Sequence, residues 1–338
     1  MKILYLSLFT LSLFLQPVGT FAQSLRLNPK INSLIQVWGV SNNPAANIQS
    51  ANGEDVDRRG VLIRRAEFAI SENRDDGTTW ALMFDPSKGT FNSTGDKAGG
   101  DPKVLQDLFI GYTFSKYLTI TIGQFLIPTT LEGLEPSGEL VFSERSYLGR
   151  SFGDIRDVGV QLSGSFRNFH YKLANFNGQG INQGAGSSMR QLIGNFGYKT
   201  SRFNLGIWNS YKQKESDLDE GVQTQSDQRD SVIGAYGKVI FNKFTFQAEF
   251  IKQAKQNESV GHYLMGKYQI NKSDSFGIRY DYMKDNPMEN TQNSYDFGIE
   301  RIYHDNLKLK MDLRGGSEES TGEKRDIQEA IFQIQLAI

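Results

Sequence analysis

The chain has 338 residues, with 37 Lys and Arg against 38 Asp and Glu, and a net charge of −1 offers no field to nucleic acid. Cysteine is absent, which excludes a disulfide framework, and charged or amide residues interrupt every apolar stretch beyond the first, which excludes helical membrane spans. Only 38% of residues are hydrophobic while 12% are aromatic and 34 are glycine, a balance suited to a sheet with one face in water and the other in lipid.

The first element is an export signal. Lys2 precedes an apolar run from Ile3 to Leu15, Gln16-Pro17 ends it, and Thr20-Phe21-Ala22 has the small-x-small pattern of a cleavage site. The run is shorter than the about 20 residues of a membrane helix. A signal peptide is therefore expected over 1–22, and a single domain over 23–338.

From about residue 31 the dominant pattern has period two, the signature of strands. Sixteen segments follow, near 31–40, 61–71, 77–85, 104–114, 117–126, 157–165, 168–177, 189–199, 203–212, 230–241, 244–254, 260–270, 274–283, 293–303, 306–314 and 327–338. In one of the clearest, Phe276, Ile278, Tyr280 and Tyr282 alternate with Gly277, Arg279 and Asp281. Leu307, Leu309, Met311 and Leu313 alternate likewise with Lys308, Lys310, Asp312 and Arg314. In the segment at 230–241 both faces carry apolar residues, and the register stays open.

The connections alternate too. Ser115-Lys116, Asn242-Lys243, Asn271-Lys272-Ser273 and His304-Asp305 are short, whereas 41–60, 86–103, 127–156, 213–229 and 315–326 are longer and polar. This rhythm predicts an all-β fold: a closed antiparallel transmembrane β-barrel of about sixteen strands, with tight periplasmic turns and longer external loops. An even strand number puts both ends of the chain in the periplasm. A secreted β-sandwich also alternates, but needs neither the short/long rhythm nor outward rows of aromatics.

The longest connection, 127–156, carries Leu131, Leu134, Leu140, Val141 and Phe142, which a fully solvated loop does not need. Folded into the barrel, it would narrow a pore, with Arg145, Arg150 and Arg156 among its charges. The competing reading leaves it outside, its arginines paired with Glu132, Glu135, Glu139, Glu144 and Asp154.

Catalytic signatures are missing. His170, His262 and His304 are far apart in sequence, and no nucleophile elbow or phosphate-binding loop occurs. Gly178, Gly180 and Gly184 approach a dinucleotide fingerprint, but the third glycine is one residue late. Neither an enzyme nor a cofactor is expected.

Several short motifs occur in order: Arg64-Arg65-Ala66, Trp80, Leu105-Gln106-Asp107, Ile122-Gly123-Gln124-Phe125 with Pro128, Ser143-Glu144-Arg145, and Arg156-Asp157-Val158-Gly159-Val160-Gln161. Together, over about residues 62–177, they resemble the phosphate-selective porin O and P family of Gram-negative outer membranes. The resemblance implies a sixteen-stranded homotrimeric barrel with an inward third loop and basic side chains guiding anions. Arg145, Arg150 and Arg156 of the loop, and Arg65, Lys172 and Lys310 of the wall, are then the candidate selectivity residues.

On the predicted register the water-facing wall carries Arg65, Lys172, Lys199, Lys212, Lys267, Arg279, Lys308, Lys310 and Arg314. Opposing them are Glu67, Asp107, Glu249, Asp281, Asp296, Glu300 and Asp312, so the basic excess is slight. The expected function is passive diffusion of small hydrophilic solutes or anions across the outer membrane. Expected surroundings are the lipid bilayer and lipopolysaccharide. A non-conducting structural or adhesive barrel is the alternative.

Overall fold

Alternating side chains leave each strand one apolar and one polar face, and a closed ring is the one way for such strands to satisfy every backbone group in lipid. The computed structural model has this ring. It describes residues 28–42, 48–49, 55–56, 59–90, 103–183, 189–214, 228–254, 258–285, 290–320 and 322–338. The expected signal peptide lies outside the described residues, as do parts of the connections at 41–60, 86–103 and 213–229.

In chain order the barrel strands begin with β1 (Lys30–Asn42), β4 (Gly60–Asn73), β5 (Thr78–Phe84), β6 (Leu105–Ser115), β7 (Leu118–Leu126) and β8 (Arg156–Phe166). They continue with β9 (Phe169–Phe176), β10 (Met189–Lys199), β11 (Phe203–Lys214), β12 (Gln228–Phe241) and β13 (Phe244–Ala254). The last five are β14 (Ser259–Gln269), β15 (Asp274–Asp285), β16 (Asn290–His304), β17 (Leu307–Ser320) and β18 (Glu323–Ala337). Two short strands, β2 (Ile48–Gln49) and β3 (Asp55–Val56), pair with each other in the first long connection.

Every neighbour pair is antiparallel, and β1 closes on β18 from Leu34 opposite Ala337 to Asn42 opposite Glu329. Ser33 and Ile338 exchange backbone hydrogen bonds of 2.7 and 2.9 Å at the seam. The short turns and both described chain ends share one rim.

The apolar side chains face outward: Ile110, Ile122, Ile207, Leu264 and Ile299 are all more than half exposed. Aromatic pairs such as Tyr112–Phe114, Phe169–Tyr198 and Phe244–Tyr268 gather near the turn rim, as a lipid-interface girdle requires. No described helix is long and apolar enough to cross a membrane; the strands do the crossing.

One expectation is corrected. Residues 315–326 are mostly strand, because β17 continues to Ser320 and β18 begins at Glu323, with these two residues opposite each other. Beyond the lipid an outward face meets water as well, so polar residues such as Glu319, Lys324 and Arg325 extend a ladder without any period-two contrast. Gly316 is needed there: a Cβ would lie 2.0 Å from the Asn293 carbonyl oxygen of the neighbouring strand.

Candidate functional site: the lumen and its folded loop

The connection between β7 and β8 packs inside the barrel. It forms two short helical turns, α2 (Leu131–Leu134) and α3 (Tyr147–Phe152), capped by the Thr130 and Ser146 hydroxyls, which accept from the Gly133 and Gly149 amides.

Its apolar residues have a seat. Phe142, Tyr147 and Leu148 join a buried cluster with Trp208, Ile251, Tyr263, Met265 and Met283 on the inner wall. The cluster needs a flat wall, supplied by Gly277 of β15 and Gly298 of β16, which lie directly opposite each other. A Cβ on Gly277 would lie 2.8 Å from Val141, and one on Gly298 3.0 Å from the Phe142 ring. The Arg279 guanidinium lies over that ring at 4.6 Å.

Wall charges hold the loop backbone. Glu249 accepts the Leu131 and Glu132 amides at 2.8 and 2.7 Å, and the Tyr263 hydroxyl at 2.6 Å. Asp312 accepts the Ser143 amide at 2.6 Å and Asp281 the Tyr147 amide at 2.7 Å. From the opposite direction, Lys310 donates to the Leu140 carbonyl, while Lys308 and Gln335 donate to that of Gly138 at 3.1 and 3.0 Å. A buried network locks the arrangement: Arg279 bridges Glu132 at 3.2 Å and Asp296 at 2.9 Å, and Asp296 also meets Arg314 at 2.6 Å. Charged acceptors and donors make the stronger hydrogen bonds, so the loop is fixed along much of its length.

The six candidate residues occupy four kinds of place. Arg65 is 2% exposed and donates to Gln36 at 2.7 Å, and Lys310 is 1% exposed beneath the loop beside Glu300 at 3.5 Å. Both are behind the loop and away from open space. Arg145 and Arg156 border a cavity of about 540 Å³ but are paired, Arg145 with Asp154 at 3.1 Å and Arg156 with Asp107 at 2.8 Å. Burial alone would raise the Asp154 carboxyl, but the charges of Arg145, Lys88 and Arg156 outweigh it and hold it below the ordinary aspartate value. Arg150 lies 5.2 Å above the Tyr147 ring.

Lys172 differs. It borders the larger cavity, about 810 Å³, and has no ionic partner among the described residues.

The larger cavity gathers residues beyond that set. Lys199 and Arg202 line it with Lys172, also without acidic partners among the described residues, and His170 contacts the Tyr236 hydroxyl at 3.3 Å. Facing them, the loop presents Glu135 and Glu139, with Glu135 paired to Lys238. Burial raises the Glu135 carboxyl above the ordinary glutamate value, and the Lys238 charge offsets part of that rise. Lys238 belongs to β12, whose inner face of Val232, Gly234, Tyr236 and Lys238 resolves the open register.

Arg64 is also placed unexpectedly. A β-bulge between β1 and β4 skips it, so it follows Arg65 inward to meet Glu144 at 3.2 Å.

Comparison with known proteins agrees with this architecture. The outer membrane channel DcaP of Acinetobacter baumannii superposes with a TM-score of 0.71 at 11% identity, over 92% of this chain and 97% of that one. An anion-selective porin from Comamonas acidovorans gives 0.65 at 12% identity, over 92% and 99%. The trimer form of OmpT from Vibrio cholerae gives 0.62 at 9% identity, over 92% and 99%. At such identities these likenesses establish the fold alone. No curated protein matches the chain in sequence. The sequence pattern described as "Phosphate-selective porin O and P" matches residues 40–337, and the chain belongs to that family of outer-membrane porins.

Proposed function

We propose that the chain is a passive diffusion channel that favours small anions, works as a homotrimer and catalyses no reaction. The observation that carries the anion preference is the cationic wall of the larger cavity, where Lys172, Lys199 and Arg202 face open space while, of the two loop carboxylates there, Glu135 is matched by Lys238 and Glu139 alone opposes the three cations. Unpaired cations bordering water set a positive potential along the solute path, and flux demands several weak contacts instead of one tight cage.

On this reading Lys172 leads in selectivity, and Arg145 and Arg156 contribute less because Asp154 and Asp107 take up their charge. Arg150, Arg65 and Lys310 act through the shape of the loop. The likeness to an anion-selective porin and to a trimeric one supports the same reading.

Single-channel recording of the purified protein in a planar bilayer, with a salt gradient across it, is the test. Steps of conductance with a zero-current potential on the anion side are expected. A silent barrel would favour a structural role, and a cation-side potential would remove the anion preference.

A further inference from the structure

A concave, apolar groove of about 660 Å³ lies mainly on the outer face of β8–β11 near the turn rim, between Tyr117, Phe166 and Tyr171 on one side and Phe196, Tyr198 and Leu205 on the other, with the inward His170 and Tyr236 behind Gly197 and Gly206 at its floor. Most of a barrel's lipid face is convex, and annular lipid slides over it. This groove is shaped by a specific packing event. The Tyr171 ring lies against the space left by Gly164, where a Cβ would come within 2.9 Å of it, and its hydroxyl donates to the Tyr117 carbonyl at 2.7 Å.

Two cations pack over aromatic rings that line the groove, and one of them, Arg167, also borders the larger cavity at the turn rim. Lys116 lies 5.0 Å over the Tyr117 ring and Arg167 lies 5.5 Å over the Phe166 ring, each at a tight turn beside the groove. Neither has an ionic partner among the described residues. Three other rim cations are met, Arg74 by Asp76 at 3.0 Å, Arg301 by Asp274 at 2.7 Å, and Lys243 by the Ile270 carbonyl at 2.8 Å, whereas Arg202 borders the larger cavity.

Arg167 also has φ 54, in the left-handed region where Asn or Gly is the ordinary choice, as Asn242 with φ 53 illustrates in another turn. An arginine there puts a charge at a position whose backbone conformation does not call for one.

We propose that the groove binds one acyl chain of an anionic phospholipid of the periplasmic leaflet, with the headgroup phosphate held between Lys116 and Arg167. The short turns mark that rim as periplasmic, so the site draws on phospholipid and not on lipopolysaccharide of the outer leaflet. Arginine supplies a planar fork for phosphate oxygens, and lysine a flexible second charge.

The experiment uses the full barrel in mild detergent, incubated with dioleoylphosphatidylglycerol or dioleoylphosphatidylcholine and read by native mass spectrometry. One phosphatidylglycerol per chain should survive activation that strips phosphatidylcholine. The Lys116→Gln/Arg167→Gln double variant should lose that retention roughly tenfold or more, as expected when two surface cations no longer face an anionic headgroup. Lys243→Gln, a rim charge away from the groove, should retain it in full, and resistance to SDS before boiling verifies that each variant is folded. Equal retention of both lipids, or equal loss in Lys243→Gln and the double variant, would overturn the site. Disulfide formation between copies carrying Phe169→Cys would place a second subunit there instead, and overturn it too.

Discussion

The two halves of the lumen wall are built from the same kind of strand and do different things. From β13 to β18 the inward charges lie under the loop: Glu249, Asp281 and Asp312 accept its amides, and Lys308 and Lys310 donate to its carbonyls. From β9 to β11, Lys172, Lys199 and Arg202 border open space and hold nothing among the described residues. A count of lumenal charges treats both halves alike. The contrast teaches that a wall charge contributes to selectivity only where no backbone has already claimed it.

The largest effect should come from breaking the covered half. Arg279 is fully buried between Glu132, Asp296 and the Phe142 ring. In Arg279→Met the carboxylates lose their partner, at about 3–5 kcal/mol, the cost typical of a broken buried pair. A lower denaturation midpoint with a wider, noisier single-channel conductance is expected. A stable variant of unchanged conductance would mean that the loop is held by its apolar seat alone.

Gly298→Leu tests that seat. The added side chain meets Phe142 at 3.0 Å from its first atom and Asp312 at 2.6 Å, so overpacking of about 1–3 kcal/mol should push the loop off the wall. The expected readout is raised conductance in a barrel that still migrates anomalously in SDS before boiling.

The open half should answer in selectivity and not in stability. Lys172→Gln with Lys199→Gln removes two charges from the path, each worth about 1 kcal/mol to an ion at contact in water, or roughly a fivefold change in preference. The zero-current potential in a salt gradient should move toward cations while the denaturation midpoint stays put. Lys310→Gln should do the reverse. Matching shifts from both variants would erase the distinction between the halves.

The smallest effect is one of pH. Burial raises the Glu135 carboxyl, so on acidification it takes a proton before an ordinary glutamate would, and its negative charge leaves the cavity. Lys238 is then unmatched and the lumen becomes more positive, so anion preference should rise as pH falls from neutrality. His170 borders the same cavity, and a His170→Gln background separates the two. In that background Glu135→Gln should remove the part of the dependence that begins above the ordinary glutamate range.

Much of the barrel was legible in the sequence, because lipid and water impose period two wherever a strand crosses the membrane. Segments 189–199 and 244–254 match β10 and β13 in full. Beyond the membrane that contrast vanishes, which is why the β17–β18 hairpin read as a loop. The apolar loop residues signalled that the third connection would pack on something. The complementary signal was also present: Trp208, Ile251, Met265 and Met283 sit at inward positions, where a water-filled lumen has no use for them.

Less could be read of the site. Lys238 was hidden by the double apolar character of β12, and Arg64 by a bulge that alternation cannot foresee. Arg202 sits in a turn, and a turn residue faces no particular way until the sheet around it is formed. Arg65 and Lys310 read as wall charges, and only the docked loop reveals that they do not meet the solute.

The loop's anchors lie far down the chain. Ser143 meets Asp312 across 169 residues, and Gly138 meets Gln335 across 197. Contacts of such sequence separation form late, since chain closure must precede any gain from them. The loop therefore has no complete seat until the C-terminal strands are in place. An incompletely inserted chain lacks both its seam and its constriction, and narrowing of the passage coincides with completion of the ring. The third connection thus acts as an internal check on assembly, seated only in a barrel whose last strands have found their register.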